Sequence, residues 1–256
     1  MSFDVEYMQV GQYRGETMPV TVTTAAGEEV CVVDAPFQER TTVAFAAPET
    51  GLYHVALSPG TNRCRIADAS NPMAVAIGTS PLKLISSPGR LAFYVPAGTE
   101  WFGVRVAGQG AGEAVKATLI APDGEVFGEV DNQFSLHQFE VRLPEPSAGE
   151  EWTLVLAQPT ATTMEDHSLE LRGVPPLVVG AGAPLLVPSQ SRRGCFRRRR
   201  LRRRGKWRPS VVCEGASFLA SPSLVVATSG TSRAMSALRA APAPPEGLRS
   251  RRTSRR

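Results

Sequence analysis

Cysteine and histidine are scarce in this chain of 256 residues, which contains four cysteines and three histidines. There is no Cys-x-x-Cys pair and no histidine at the spacing of metal ligands, so we predict no metal site and no cofactor. Cys31 and Cys64 lie in strand-like sequence, whereas Cys195 and Cys213 lie in the carboxyl-terminal part. Two buried free thiols and one disulfide across a sheet are both compatible with the positions of Cys31 and Cys64.

Long apolar runs are also missing. Residues 1–10 contain no basic segment followed by an apolar run of about 7 to 15 residues, so we expect no signal peptide within this chain. The longest apolar-leaning stretch, residues 174–187, includes three prolines and is shorter than the roughly 20 residues that a bilayer crossing needs. We therefore predict no membrane span. Strand-like sequence begins at once, which favours a fragment whose first unit is truncated at its amino end.

The residue patterns of common enzymes are absent as well. There is no Gly-x-Ser-x-Gly motif, and His54, His137 and His167 have no recognisable catalytic partner in the sequence. Glu165, Asp166 and His167 are consecutive, but neighbours on an extended segment point to opposite faces, so we expect a solvated loop before the last strand. The sequence predicts a protein that is not an enzyme.

The chain does contain a strong β pattern, in which 23 glycines and 21 prolines separate short runs of alternating apolar residues. The runs recur about every 8 to 12 residues, which is typical of antiparallel sandwiches and barrels. The predicted strands cover residues 20–24, 30–34, 42–47, 51–57, 62–66, 73–77, 91–95, 101–107, 114–121, 125–130, 138–143, 152–157 and 168–171. One sandwich uses about seven to nine strands, so we predict an all-β protein with two antiparallel, jelly-roll-like β-sandwich units.

An internal repeat supports the division into two units. Val43-Ala-Phe-Ala-Ala-Pro48 is similar to Leu91-Ala-Phe-Tyr-Val-Pro96 at an offset of 48 residues, and a second strand follows each proline turn. Alternation predicts that Phe93 and Phe102 face the core. Duplication explains the repeat, and chance recurrence of strands that end in proline is the alternative. The predicted organisation is a first unit over residues 1–88, a second over 89–178 and a basic tail over 179–256.

Residues 89–176 resemble a known family of accessory domains. The stretches GRLAFYVPAGTEWFGVRVAG, KATLIAPDGEVFG, SAGEEWTLVLAQ and HSLELRGVPP are similar to those of the bacterial pre-peptidase C-terminal-type domain. The resemblance implies a small jelly-roll-like sandwich appended to secreted peptidases and other hydrolases. Such domains often carry acidic residues in the middle strand, whereas residues 113–119 read Glu-Ala-Val-Lys-Ala-Thr-Leu, so we infer no calcium site.

One outward face of the second unit is a candidate binding surface. Because Phe102 and Val104 are predicted to face the core, Trp101 and Arg105 on the same strand face outward. If this strand forms a hairpin with the one before it, Tyr94 lies beside Trp101. Aromatic rings stack on sugar rings and arginine donates hydrogen bonds, so Tyr94, Trp101 and Arg105 are the candidate ligand-binding residues. Packing of this face against another domain is the alternative.

Charge divides the chain into an acidic and a basic part. Residues 1–180 contain 10 Lys and Arg against 22 Asp and Glu, a net charge of −12, whereas residues 181–256 contain 18 against 2, a net charge of +16. Like charges repel and few apolar groups are present, so we predict a disordered Arg-rich tail. GC-rich codons read in a shifted frame would give the same composition, and that origin is the alternative.

Together these observations predict a noncatalytic accessory region of a larger secreted hydrolase, which serves substrate adhesion or domain spacing. Its partners would be a polysaccharide or protein substrate, or a covalently linked catalytic domain, outside the cell or in the cell envelope. The alternative is a nucleic-acid-binding protein whose tail, chiefly residues 197–208, contacts phosphates.

Overall fold

The computed structural model describes residues 1–180, 182–186 and 223–227. Over those residues the protein is all-β, because every regular element is a strand and every pair of neighbouring strands is antiparallel. The predicted fold class is thus confirmed. Most of the Arg-rich tail, including residues 197–208, lies outside the described residues. No helix in the described part of the chain has the length and apolar character needed to cross a membrane.

The strands form three sheets. The three-stranded sheet consists of β1 (Ser2–Met8), β4 (Arg40–Ala44) and β6 (Arg63–Ala67), with β1 in the middle. The four-stranded sheet consists of β8 (Leu82–Ile85), β10 (Trp101–Gly108), β13 (His137–Arg142) and β15 (Asp166–Arg172), in the order β13-β10-β15-β8. The ten-stranded sheet consists of β2 (Met18–Thr24), β3 (Glu29–Ala35), β5 (Leu52–Leu57), β7 (Met73–Ala76), β9 (Gly89–Val95), β11 (Val115–Ile120), β12 (Val126–Gln133), β14 (Glu150–Ala157), β16 (Leu177–Gly180) and β17 (Ser223–Ala227).

The ten-stranded sheet is continuous across the molecule, in the order β12-β11-β14-β9-β16-β7-β17-β5-β2-β3. The three-stranded sheet packs on one half of it and the four-stranded sheet on the other, because each pair of layers shares one hydrophobic cluster. β16 joins the halves by pairing with β7 on one side and β9 on the other. β17, from the sequence assigned to the tail, pairs with β5 and β7.

Period-two alternation explains both hydrophobic clusters. In β1, Phe3 and Val5 point inward and are at most 2% exposed, while the residues between them are half-buried. In the second cluster the rings of Phe93, Phe102 and Trp152 form a row, with centroid distances of 5.8 Å for Phe93 to Phe102 and 5.0 Å for Phe102 to Trp152. The predicted inward positions of Phe93 and Phe102 are confirmed.

Two predicted features of the chain path differ from the structure. The turn that begins at Pro96 does not close a hairpin, because β9 pairs with β14 and β16 whereas β10 pairs with β13 and β15 in the other layer. The five residues 96–100 are long enough to cross the ~10 Å between stacked sheets. β8 lies within the predicted first unit, yet it pairs with β15, so the strands of the two predicted units interlock.

The two cysteines of the described region are free and half-buried. Cys31 and Cys64 both pack against the hydrophobic cluster beneath the three-stranded sheet. Burial raises the pKa of the Cys64 thiol to about 11, so this thiol stays protonated at neutral pH. Of the two alternatives for this pair, the structure contains the free thiols.

Truncation of Phe102 tests the packing of the second cluster. We expect Phe102→Ala to lower the free energy of unfolding by about 3 to 5 kcal/mol, because the fully buried ring leaves a cavity against two aromatic neighbours. Phe134→Ala is the matched control, since that ring is 47% exposed and its loss should cost at most about 0.5 kcal/mol. Urea unfolding followed by circular dichroism measures both. Equal losses would contradict the placement of Phe102 in the core.

Candidate functional site

The candidate site is the solvent-facing side of the four-stranded sheet, and its central strand is β10. Phe102, Val104 and Val106 on this strand are fully buried, so the alternate residues Trp101 and Arg105 point outward. Trp101 is 37% exposed and Arg105 is half-buried. The outward direction predicted for both residues is confirmed.

Strand register places a row of charged residues around Trp101 and Arg105. We call the solvent-facing side of this sheet the outer face. It comprises the outward positions of β10 and the residues of β13 and β15 that pair with them. Its members are Trp101, Gly103, Arg105, Gln138, Glu140, Arg142, Glu170 and Arg172. Arg142 is opposite Trp101, Glu140 and Arg172 flank Gly103, and Gln138 and Glu170 flank Arg105.

Ion pairs and hydrogen bonds hold the charged side chains of the outer face. Arg105 donates from Nε to Oε1 of Gln138 at 2.6 Å, and its Nη1 lies 3.3 Å from Oε2 of Glu170. Arg172 lies 2.7 Å from the other carboxylate oxygen of Glu170. Burial acts to raise the pKa of the Glu170 carboxyl, but hydrogen bonds from Arg172 and Arg105 hold that pKa below its ordinary value. Glu170 is therefore a shared acceptor that aligns two guanidinium groups.

The position of the Trp101 ring depends on a glycine at the end of β15. Gly173 has a φ of +75°, which L-residues rarely adopt. A Cβ atom there would come within 3.2 Å of Cε3 of Trp101 and 2.9 Å of its carbonyl oxygen. Gly173 thus allows the chain to pass close behind the indole. Gly103, between Trp101 and Arg105, is buried, and the Gln138 side chain lies against it, since an added Cβ would be 3.5 Å from Nε2 of Gln138.

Tyr94 does not belong to the outer face. It lies on β9 in the ten-stranded sheet, where its neighbour across the strand pair is Glu151 of β14. Its hydroxyl packs near Gly149, where an added Cβ would lie 2.5 Å from the phenol oxygen. The expectation that Tyr94 and Trp101 are neighbours is wrong, because β9 and β10 occupy different layers. Trp101 and Arg105 do share one face.

The charged members of the outer face were not among the predicted site residues. The signal was present, because residues 137–142 and 167–172 alternate polar and apolar side chains as expected of half-buried strands. What alternation does not show is which strands lie next to β10. The arrangement places one aromatic ring, guanidinium donors and carboxylate acceptors on the solvent-facing side of one sheet, where they can stack and form hydrogen bonds.

His167 is buried, contrary to the expectation of a solvated loop. Asp166 and His167 begin β15, and alternation turns the imidazole inward beside Leu169, with no exposed surface. Neither ring nitrogen has a hydrogen-bond partner within the described residues. Burial lowers the pKa of His167 below its ordinary value. In the same part of the chain, no group of three His, Cys, Asp or Glu side chains is arranged to hold a metal ion.

Similarity to known proteins is confined to solved structures. No protein-family model matches the chain, and no curated protein matches it. Two solved structures of infectious bursal disease virus, from the Gt and Gx strains, are similar at 11% and 12% identity, each with a TM-score of 0.22. The alignments cover 88% of this chain and 59% and 58% of the viral chains. A TM-score this low does not establish a shared fold.

The buried His167 predicts a pH-dependent stability. In the unfolded chain the ring binds a proton near its ordinary pKa of roughly 6.5, whereas the folded protein keeps it neutral below that pH. The free energy of unfolding should therefore fall as the pH drops from about 7.5 to 5.5, with a contribution from this one group of at most about 1.4 kcal/mol per pH unit. Urea unfolding across that range measures the slope.

His167→Leu should reduce that slope, because the substituted side chain does not titrate. His54→Leu is the control, since it replaces an exposed histidine by the same side chain. An identical slope in His167→Leu and in the unaltered protein would contradict the assignment.

Proposed function

We propose that this protein is a noncatalytic binding region that adheres to a polysaccharide through the outer face. The observation that carries the proposal is the exposed Trp101 on the same side of the sheet as Arg105 and Arg172, whose guanidinium groups share Glu170. An indole offers a flat apolar surface for the C–H face of a sugar ring, while guanidinium and carboxylate groups bind its hydroxyls.

The geometry supports this role in two ways. The outer face is the solvent-facing side of a sheet, so a chain-like ligand can lie along it across β13, β10 and β15. The charged groups are also held before a ligand arrives, because Glu170 contacts both Arg105 and Arg172. Preorganised partners reduce the entropy lost on binding.

The kind of protein in which this binding would take place is proposed from the resemblance of residues 89–176 to pre-peptidase C-terminal-type domains. That resemblance supports an accessory region of a larger secreted hydrolase, located outside the cell or in the cell envelope. In such a protein the outer face would hold the substrate near a covalently linked catalytic domain.

Binding of the full chain to insoluble neutral polysaccharides, such as cellulose, chitin and xylan, tests the proposal. We expect retention on at least one of them and a loss of up to about tenfold in affinity for Trp101→Ala, because the contact of one aromatic ring is worth about 0.5 to 1.5 kcal/mol. Depletion assays with the supernatant protein quantified by absorbance measure the affinity.

Two control variants make the result specific. Tyr94→Ala removes the aromatic residue that lies in the other layer, and Tyr13→Ala removes one that is 56% exposed in the first half of the chain. Both should bind as the unaltered protein does. Loss of binding in all three variants, or no retention on any polysaccharide, would overturn the proposal.

A second candidate, nucleic-acid binding, is favoured only by the net charge of +16 in residues 181–256. It predicts binding to DNA or RNA that weakens steeply with salt and is unaffected by Trp101→Ala. That outcome would assign the binding function to the tail.

A further inference from the structure

A cleft of about 660 Å³ lies where the two halves of the molecule meet. We call it the junction cleft. Its sides include β6 and β8, which are edge strands of the three-stranded and the four-stranded sheets. Its floor comes from β7, β9 and β16 of the ten-stranded sheet. The cleft is thus the gap left where the two smaller sheets end above one continuous sheet.

The lining of the junction cleft is mainly apolar. The floor presents Val75, Leu91 and Val178, and the sides add Ile66 and Leu84. The Cys64 thiol also lines the cleft, and it behaves as an apolar group because burial keeps it protonated at neutral pH. Clefts of this volume with apolar walls and a few polar groups are the usual form of a small-molecule site, and they occur preferentially at junctions between domains.

Three charged residues line the cleft, and only one lacks an ion-pair partner in the described part of the chain. Arg65 is held by Glu6 at 2.5 Å, and Asp68 by Arg40. Lys83 on β8 is exposed and has no ion pair among the described residues. Lys83 is therefore the charged residue of the cleft lining that ion pairing within the described residues leaves available to a ligand.

We propose that the junction cleft binds an amphiphile with an unbranched hydrocarbon chain and an anionic head group, of the fatty-acid class. The chain lies on the floor formed by Val75, Leu91 and Val178, and the head group pairs with Lys83. This site is separate from the outer face and does not depend on the polysaccharide proposal.

Titration of the full chain with dodecanoate below its micelle-forming concentration tests the assignment. We expect saturable binding by calorimetry and slower hydrogen–deuterium exchange in peptides that cover β6 and β8, with no change in β13. Dodecyltrimethylammonium has the same chain and the opposite charge, and it should bind about tenfold more weakly because it cannot pair with Lys83.

Variants separate the head-group contact from general apolar binding. Lys83→Gln should weaken dodecanoate binding about tenfold and leave 1-dodecanol binding unchanged. Lys116→Gln is the matched control, because Lys116 pairs with Glu129 on β12 at the far edge of the ten-stranded sheet. Ala183→Trp places a bulky ring at the cleft without altering a core position and should abolish binding.

Several results would overturn the assignment. One is binding of dodecanoate that is equal in the unaltered protein, Lys83→Gln and Ala183→Trp. Another is slower hydrogen–deuterium exchange of β6 and β8 in the presence of an extended apolar peptide but not of dodecanoate. That result would make the cleft a peptide site. Trp101→Ala should leave dodecanoate binding unchanged, so failure of the polysaccharide proposal and failure of this one are distinguishable.

Discussion

The structure depends on the pairing of β16, a strand of four residues that hydrogen-bonds to β7 on one side and β9 on the other. This pairing satisfies backbone groups that would otherwise end two separate half-sheets. It also makes the ten-stranded sheet one continuous layer beneath the three-stranded and the four-stranded sheets, which stay separate from each other. The outer face and the junction cleft both result, since the four-stranded sheet keeps a solvated side and its edge strand β8 stands apart from β6.

Most strand positions were predictable because one face of each strand is buried. Each of the thirteen predicted strands overlaps a strand of the structure. β8, β16 and β17 were not predicted, whereas β7, which is as short as β8 and β16, was; four or five residues give few alternations from which to predict a strand. The first residues were expected to be strand-like, but no range was predicted for β1, although Phe3, Val5 and Tyr7 alternate clearly. The order of strands was not predictable, because alternation identifies the buried face of a strand but not its neighbours.

The same limit applies to the candidate site. Trp101 and Arg105 were predicted to face outward because they share a strand whose inward residues are strongly apolar. Tyr94 was assigned wrongly, since its place depends on whether five turn residues stay in one layer or cross to the next. The junction cleft involves residues from six strands and three connecting segments that are distant in sequence, so no local pattern indicates it.

The ten-stranded sheet cannot be completed until β17 has been synthesised, because β17 lies between β5 and β7. Residues 223–227 lie between β5 and β7, so these two strands become neighbours of a common partner only after residue 227 has left the ribosome. Until then a nascent chain carries two unpaired strand edges in the middle of its largest sheet. Such edges pair readily with other chains, so the interval between synthesis of β7 and of β17 is when this protein is most exposed to aggregation.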